Sequence, residues 1–148
     1  MIKRYKGIWL YGKSGSGKTF ISKKIFKQLK NSFIIDGDEV RSKISFDLKY
    51  TVRDRIIQNK RVLGLAKIVI SNNFFPIISS VYLDKNITKT IKKNKIKIVE
   101  VISSSVNVNK KLYKKKNVVG KSINQPKIMS NIYINKFNKD LRIKSILK

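Results

Sequence analysis

The sequence predicts an α/β fold built on a five-stranded parallel sheet flanked by helices. Three observations carry that prediction. Short apolar runs of strand length alternate with segments of helical period. A glycine-rich loop joins the first apolar run to the first helical segment. No internal repeat and no second composition regime divides the 148 residues, so a single domain over 1–148 is expected.

Residues 7–11 read as a buried first strand. From Thr19 to Lys30, apolar residues at Phe20, Ile21, Ile25, Phe26 and Leu29 fall on one helical face. Ser32 to Ile35 forms a short second strand that runs into Asp36-Gly37-Asp38, and Glu39 to Ile44 supplies one or two helical turns. After a loop at 47–51, the stretch from Val52 to about Ser71 is the longest helical segment, with Ile56, Ile57, Leu63, Ala66 and Ile70 as its stripe. Phe74 to Ser80 is the third strand, irregular at its start because of Pro76. A short helix over 86–93 and a fourth strand over 96–102 follow. Asn107 to Pro126 is polar and basic and reads as a lid loop. Ile128 to Ile134 is the expected fifth strand, and 135–148 an expected terminal helix.

The loop after the first strand is the strongest local signal. Gly12, Lys13, Ser14, Gly15, Ser16, Gly17, Lys18 and Thr19 complete the pattern G-x-x-x-x-G-K-[ST], with a strand before it and a helix after it. The glycines let backbone N–H groups converge on phosphate oxygens, Lys18 reaches the outer phosphates, and the Thr19 hydroxyl is the candidate Mg²⁺ ligand. This marks a P-loop fold, with ATP and Mg²⁺ as the expected nucleotide and metal.

The acidic residues give the second signal. Only eight exist, and five stand at Asp36, Asp38, Glu39, Asp47 and Asp54. They cluster just past the second strand, on the sheet edge that faces the phosphate loop in a doubly wound fold. Asp36 and Asp38 are therefore catalytic candidates with Lys18, either accepting a proton from an attacking hydroxyl or holding Mg²⁺ through water. The plainer reading makes 36–38 a turn and Glu39 a helix cap. Asp54 is expected to orient Arg55 or face solvent. Arg41, Arg55 and Arg61 stand out because a planar guanidinium binds an oxyanion bidentately, and Tyr50 lies beside them to stack or pack.

Composition removes several chemistries. The chain has no His and no Cys, which excludes imidazole bases, thiolate metal sites and disulfides. No apolar stretch reaches the ~20 residues of a membrane-spanning helix. The basic start is followed by only about five apolar residues, short of the ~7–15 of a signal core, so a cytoplasmic location is expected. The formal charge is +27, but the bases are mostly Lys spread along the chain, with Arg only at 4, 41, 53, 55, 61 and 142. That distribution favours a lysine-biased composition over specific nucleic-acid recognition.

Taken in order, these residues resemble adenylyl-sulfate kinases. Gly12–Thr19, Asp36-Gly37-Asp38-x-x-Arg41, Asp47-Leu48-Lys49-Tyr50-Thr51 and Asp54-Arg55 stand where that family has its P-loop, DGDxxR, DLGFS and DRxxN. Ala66-Lys67, Ile78-Ser79, Leu112-Tyr113-Lys114-Lys115, Lys116-Asn117-Val118-Val119-Gly120 and Gln125-Pro126 continue the likeness to about residue 134. The resemblance implies a nucleoside-kinase-like fold and transfer of the ATP γ-phosphate to the 3′-hydroxyl of adenylyl sulfate. It implies that Arg41 and Arg55 hold the phosphosulfate and that Tyr50 stacks on adenine. Asp38 is the implied base, while Gln58, Ile78, Ser79, Lys116 and Val118 line the acceptor pocket. The implied partner is a small anionic nucleotide-linked substrate, with a homodimer left open and neither a specific nucleic acid nor a membrane.

The chain also departs from the family. Gln58 replaces an Asn, Lys13 an apolar residue, and Ser80-Val81-Tyr82 a segment carrying an arginine; the stretch from Val101 to Leu112 and the lid are shorter. These changes touch the acceptor side and leave the nucleotide apparatus whole. A related kinase of another nucleotide-linked anion, such as cytidine diphosphoramidate, and a nucleotide-binding module without catalysis are the alternatives.

Overall fold

The computed structural model describes residues 4–104, 119–120 and 122–147. Its five strands are β1 (Gly7–Tyr11), β2 (Ser32–Asp36), β3 (Phe75–Ser80), β4 (Ile96–Ser103) and β5 (Asn131–Asn135). The helices are α1 (Lys18–Gln28), α2 (Gly37–Lys43), α3 (Val52–Ser71), α4 (Thr88–Lys93) and α5 (Ile143–Ile146). All strands pair in parallel in the order β2-β3-β1-β4-β5. The chain order reverses on either side of β1, which opens a crevice at the carboxyl end of that strand.

β1 shows why the sheet is buried on both faces. Its side chains alternate, as a strand's period of two requires. Ile8 and Leu10 join Ile21, Ile25, Ile77, Val99 and the tail residues Leu141 and Ile143 in one core layer. Trp9 and Tyr11 point the other way, into a layer with Val62, Ala66, Ile78, Leu83 and Ile91. The continuous apolar runs read as strands are thus those of a parallel sheet covered twice.

Two expectations change at the C-terminal end. The fifth strand begins at Asn131 rather than at Ile128, and pairs with the upper part of β4 from Val99↔Asn131 to Ser103↔Asn135. The preceding stretch is held by side chains instead: the Gln125 amide donates to the Leu83 carbonyl (2.8 Å) and accepts from the Leu83 N–H (2.9 Å). The expected helix over 135–148 shrinks to Ile143–Ile146. Asparagine side chains outcompete it. Asn135 Oδ1 accepts from Phe137 N and Asn138 Oδ1 from Asp140 N, both at 2.9 Å, so the backbone turns instead of winding. Most of the expected lid, including Lys116 and Val118, lies outside the described residues.

A polar contact inside the core fixes the end of β1. Trp9 Nε1 donates to Ser80 Oγ at 2.8 Å in a buried position. Removing that hydroxyl strands a buried donor, which typically costs about 1–3 kcal/mol. Ser80→Ala is expected to lower the unfolding free energy by that amount. Urea titration followed by the fluorescence of Trp9, the chain's single tryptophan, measures it.

Candidate active site

The phosphate loop leaves β1 at Gly12, which has no room for a side chain: a Cβ there would collide with the Val101 carbonyl oxygen. The Gly12 N–H donates across the sheet to Ser80 O at 3.2 Å. Gly17 adopts φ 92 at the start of α1, in the left-handed region that favours glycine. Lys18 Nζ folds over the loop and donates to the carbonyls of Gly12 (2.7 Å) and Lys13 (3.0 Å). The Thr19 side chain is exposed at the helix start, as are Ser14 and Gly15 on the outer curve, while Ser16 is buried. The stem of Lys13 lies against Gly120, where a Cβ would come 2.6 Å from Lys13 Cε.

Burial is the main cause that pulls the Lys18 ammonium down to about 8, and the carboxylates of Asp38 and Asp36 oppose it. Both carboxylates therefore act on Lys18 from the carboxyl end of β2, on the other side of β3 from β1. Asp36 ends β2. Its Oδ1 caps α2 by accepting from Asp38 N (2.9 Å) and Glu39 N (3.4 Å), and its Oδ2 takes a long bond of 3.4 Å from Ser79 Oγ. The plainer reading of this turn is thus correct in part: Asp36, not Glu39, is the cap, and Glu39 pairs with Lys43 (2.6 Å) one turn on. Asp38 is exposed on the first turn of α2.

The arginines separate into two roles. Arg41 and Arg55 approach one aromatic ring, with guanidinium carbons 4.6 Å and 5.5 Å from the Tyr50 centroid. Arg41 also donates to Lys49 O (2.7 Å) and Arg55 Nε to Tyr50 O (3.0 Å). Burial lowers the pKa of both, and for Arg55 the charge of Arg41 adds to the effect. Arg61 belongs elsewhere: it forms a two-pronged pair with Asp47 at 2.6 and 2.8 Å. Asp54 Oδ2 accepts from Lys49 N (3.1 Å) and so ties the Tyr50 loop to α3.

Gln58 is buried on α3, and its Nε2 donates to Gly37 O at 3.1 Å while Oε1 has no hydrogen-bond partner among the described residues. Ile78 is buried in the core layer beneath the crevice, and Ser79 is buried beside Asp36. Tyr82 packs with Val119 and Ile123 against Ile56 and Val81. Sequence reasoning missed Asn59, whose amide holds Tyr82 O (3.0 Å) and Asp84 N (2.7 Å), and Asn135, which reaches the phosphate loop. A polar residue on the apolar stripe of α3 was the available signal for Asn59.

Residues 4–129 match the family model described as adenylylsulphate kinase. The chain belongs to that family. It is 31% identical over 120 residues to the adenylyl-sulfate kinase of Buchnera aphidicola subsp. Schizaphis graminum, covering 73% of this chain and 57% of that one. It is 32% identical over 98 residues to the probable adenylyl-sulfate kinase of Pyrococcus abyssi, covering 64% and 56% respectively. The chain thus spans little more than half the length of these relatives. Among solved structures, the Mycobacterium tuberculosis APS kinase CysC in complex with AMPPNP and APS superposes with a TM-score of 0.76 at 17% identity, covering 97% and 94% of the two chains. A sugar kinase from Janibacter superposes with a TM-score of 0.61 at 12% identity, over 88% and 84%. Both likenesses speak to the fold, a P-loop kinase sheet with flanking helices.

The lowered pKa of Lys18 has a thermodynamic consequence. Its folded value of about 8 lies below the ordinary 10.5. Between those limits the unfolded chain binds the extra proton, so stability rises with pH across that window and is lost as pH falls toward 8. Against Lys18→Met, the wild type is expected to gain relative stability from pH 8 to 10.5 and to show a constant difference below 8. Paired thermal melts across that range measure it.

Proposed function

We propose that this protein transfers the γ-phosphate of ATP to the 3′-hydroxyl of adenylyl sulfate, giving 3′-phosphoadenylyl sulfate, within a single domain spanning the chain. The observation that carries the reading is the shared edge of the sheet. The phosphate loop with Lys18, the carboxylates Asp36 and Asp38, and the Arg41–Tyr50–Arg55 cluster all gather at the carboxyl ends of β1, β2 and β3. Family membership supports the same conclusion.

Each residue then has a role. The loop from Gly12 to Thr19 cradles the ATP phosphates, and Lys18 exchanges its bonds to Gly12 O and Lys13 O for the outer phosphates. Arg41 and Arg55 bind the anionic group of the acceptor, and the exposed Tyr50 ring between them stacks on its base. Asp38 accepts the proton of the attacking hydroxyl. Gln58, Ile78 and Ser79 form the floor of that pocket, and the family resemblance assigns Lys116 and Val118, which lie outside the described residues, to the same substrate. Positioning and charge stabilisation supply the catalysis, since in-line phosphoryl transfer needs little covalent chemistry from the protein.

The donor set suits magnesium. Among the described residues no three Asp or Glu side chains converge. A magnesium ion fits such a site because it keeps several waters and takes one or two protein ligands plus phosphate oxygens. The exposed Thr19 hydroxyl and Asp36 are the candidates to hold it, directly or through water. Bound there, the ion would supply positive charge against that of the phosphates.

One observation favours a second reading. Tyr82 stands where the family carries an arginine, and its ring is buried against Val119 and Ile123. The acceptor pocket thereby has one cation fewer, which suits a nucleotide-linked anion other than the phosphosulfate.

ADP release measured over a panel of adenylyl sulfate, cytidine diphosphoramidate, nucleoside monophosphates and simple sugars tests the proposal. Turnover is expected with adenylyl sulfate and is expected to vanish in Lys18→Ala. Asp38→Asn should lower kcat by about 10²–10⁴ while leaving ATP affinity within a factor of about two. ATP binding without turnover on any acceptor would instead identify a binding module.

A further inference from the structure

The family match ends at residue 129, short of a buried amide that touches the phosphate loop. Asn135 is the last residue of β5 and is 0% exposed. Its Nδ2 donates to the Ser16 carbonyl at 3.0 Å, and its Oδ1 accepts from the Phe137 N–H at 2.9 Å. The two partners fix the orientation of the amide, because one only accepts and the other only donates. A Cβ on Gly17 would collide with Asn135 Nδ2 and approach Phe137 Cε1 to 2.9 Å. Phe137 itself sits at φ 53, and its ring lies 5.6 Å from that of Phe20 on the first turn of α1. A bulky residue persists in that region only where its surroundings fix it.

The geometry of a peptide plane gives this contact its meaning. The Ser16 C=O and the Gly17 N–H belong to one trans peptide, so they point in opposite directions. Holding the carbonyl against Asn135 aims the Gly17 N–H away from β5. We infer that Asn135 is a positioning residue for the donor nucleotide: it sets the Ser16–Gly17 peptide so that the loop presents its amides to phosphate oxygens. The inference rests on the reading of Gly12–Thr19 as the ATP site. Asparagine suits the task because the same side chain must donate to the loop and accept from the turn at Phe137. A carboxylate keeps the second bond but sets an oxygen against the Ser16 carbonyl.

The test is direct ATP binding to Asn135→Asp, followed by fluorescent-nucleotide titration, beside thermal melts without nucleotide. Losing one such hydrogen bond and facing the carbonyl with a carboxylate is expected to weaken ATP binding about tenfold or more. The melt should stay cooperative, and the KM for ATP should rise while the acceptor KM holds within about twofold. Should Asn135→Asp not fold, Asn135→Ser is read by the same criteria, since its hydroxyl can still accept from Phe137 N but falls short of Ser16 O. Wild-type-like ATP affinity in a folded variant overturns the inference alone. So does a parallel loss of ATP and acceptor affinity, which marks general damage. A wild-type protein that binds no ATP overturns both this inference and the kinase reading.

Discussion

A phosphate loop must be held by everything except the groups it offers to phosphate. Its N–H groups are reserved for the ligand, so the fold has to grip it through its carbonyls, its ends and its surface. Here each grip is identifiable. Lys18 occupies the carbonyls of Gly12 and Lys13, Asn135 takes that of Ser16, and the sheet receives the first N–H at Ser80 O. The Val101 carbonyl closes the space beneath Gly12. Four strands thus contribute to one turn: β1 leads into it, β3 and β4 bound its start, and β5 holds its far side. The parallel order makes this feasible, because it brings the carboxyl ends of all five strands to the same edge.

The electrostatics of that edge follow from the same packing. In a chain with +27 formal charge, two guanidiniums share one aromatic ring. Burial and mutual repulsion both weigh on the charged form of Arg55. Under the proposed function an anionic acceptor relieves that repulsion, whereas a neutral one does not. Across the crevice, Asp36 and Asp38 restrain the loss of charge from Lys18. In the proposed kinase, the arginine cluster is then the acceptor side and the partly desolvated Lys18 belongs to the nucleotide side.

Much of this was legible in the residues. The apolar runs of β1 and β4 carry enough β-branched and large side chains to declare buried strands, and the loop motif fixed what lies between β1 and α1. Local capping was misread: the sequence reading gave the cap to Glu39, whereas the structure gives it to Asp36, whose extended backbone suits an N-cap. The failures share a cause. Asn135 and Asn138 stop the expected terminal helix, Asn59 secures the 82–84 segment, and Gln125 stands in for strand pairing. A side-chain amide satisfies backbone groups from afar, and neither hydrophobic period nor a short motif encodes where it will reach. In a chain biased toward Asn and Lys such residues blend into the background composition, so their structural work shows only in three dimensions.

The likeness to both an APS kinase and a sugar kinase is a likeness of fold. Under the proposed function, acceptor choice arises from what stands above β2 and β3. In this chain that means Tyr50 with its two arginines, the buried Gln58 whose Oε1 lacks a partner among the described residues, and Tyr82 beneath Val119 and Ile123. The last substitution exchanges a cation for an apolar anchor of the described end of the lid. In the proposed acceptor pocket, packing of a buried ring against Val119 and Ile123 thus takes the place of a positive charge, which turns that side of the pocket from charge recognition toward apolar contact.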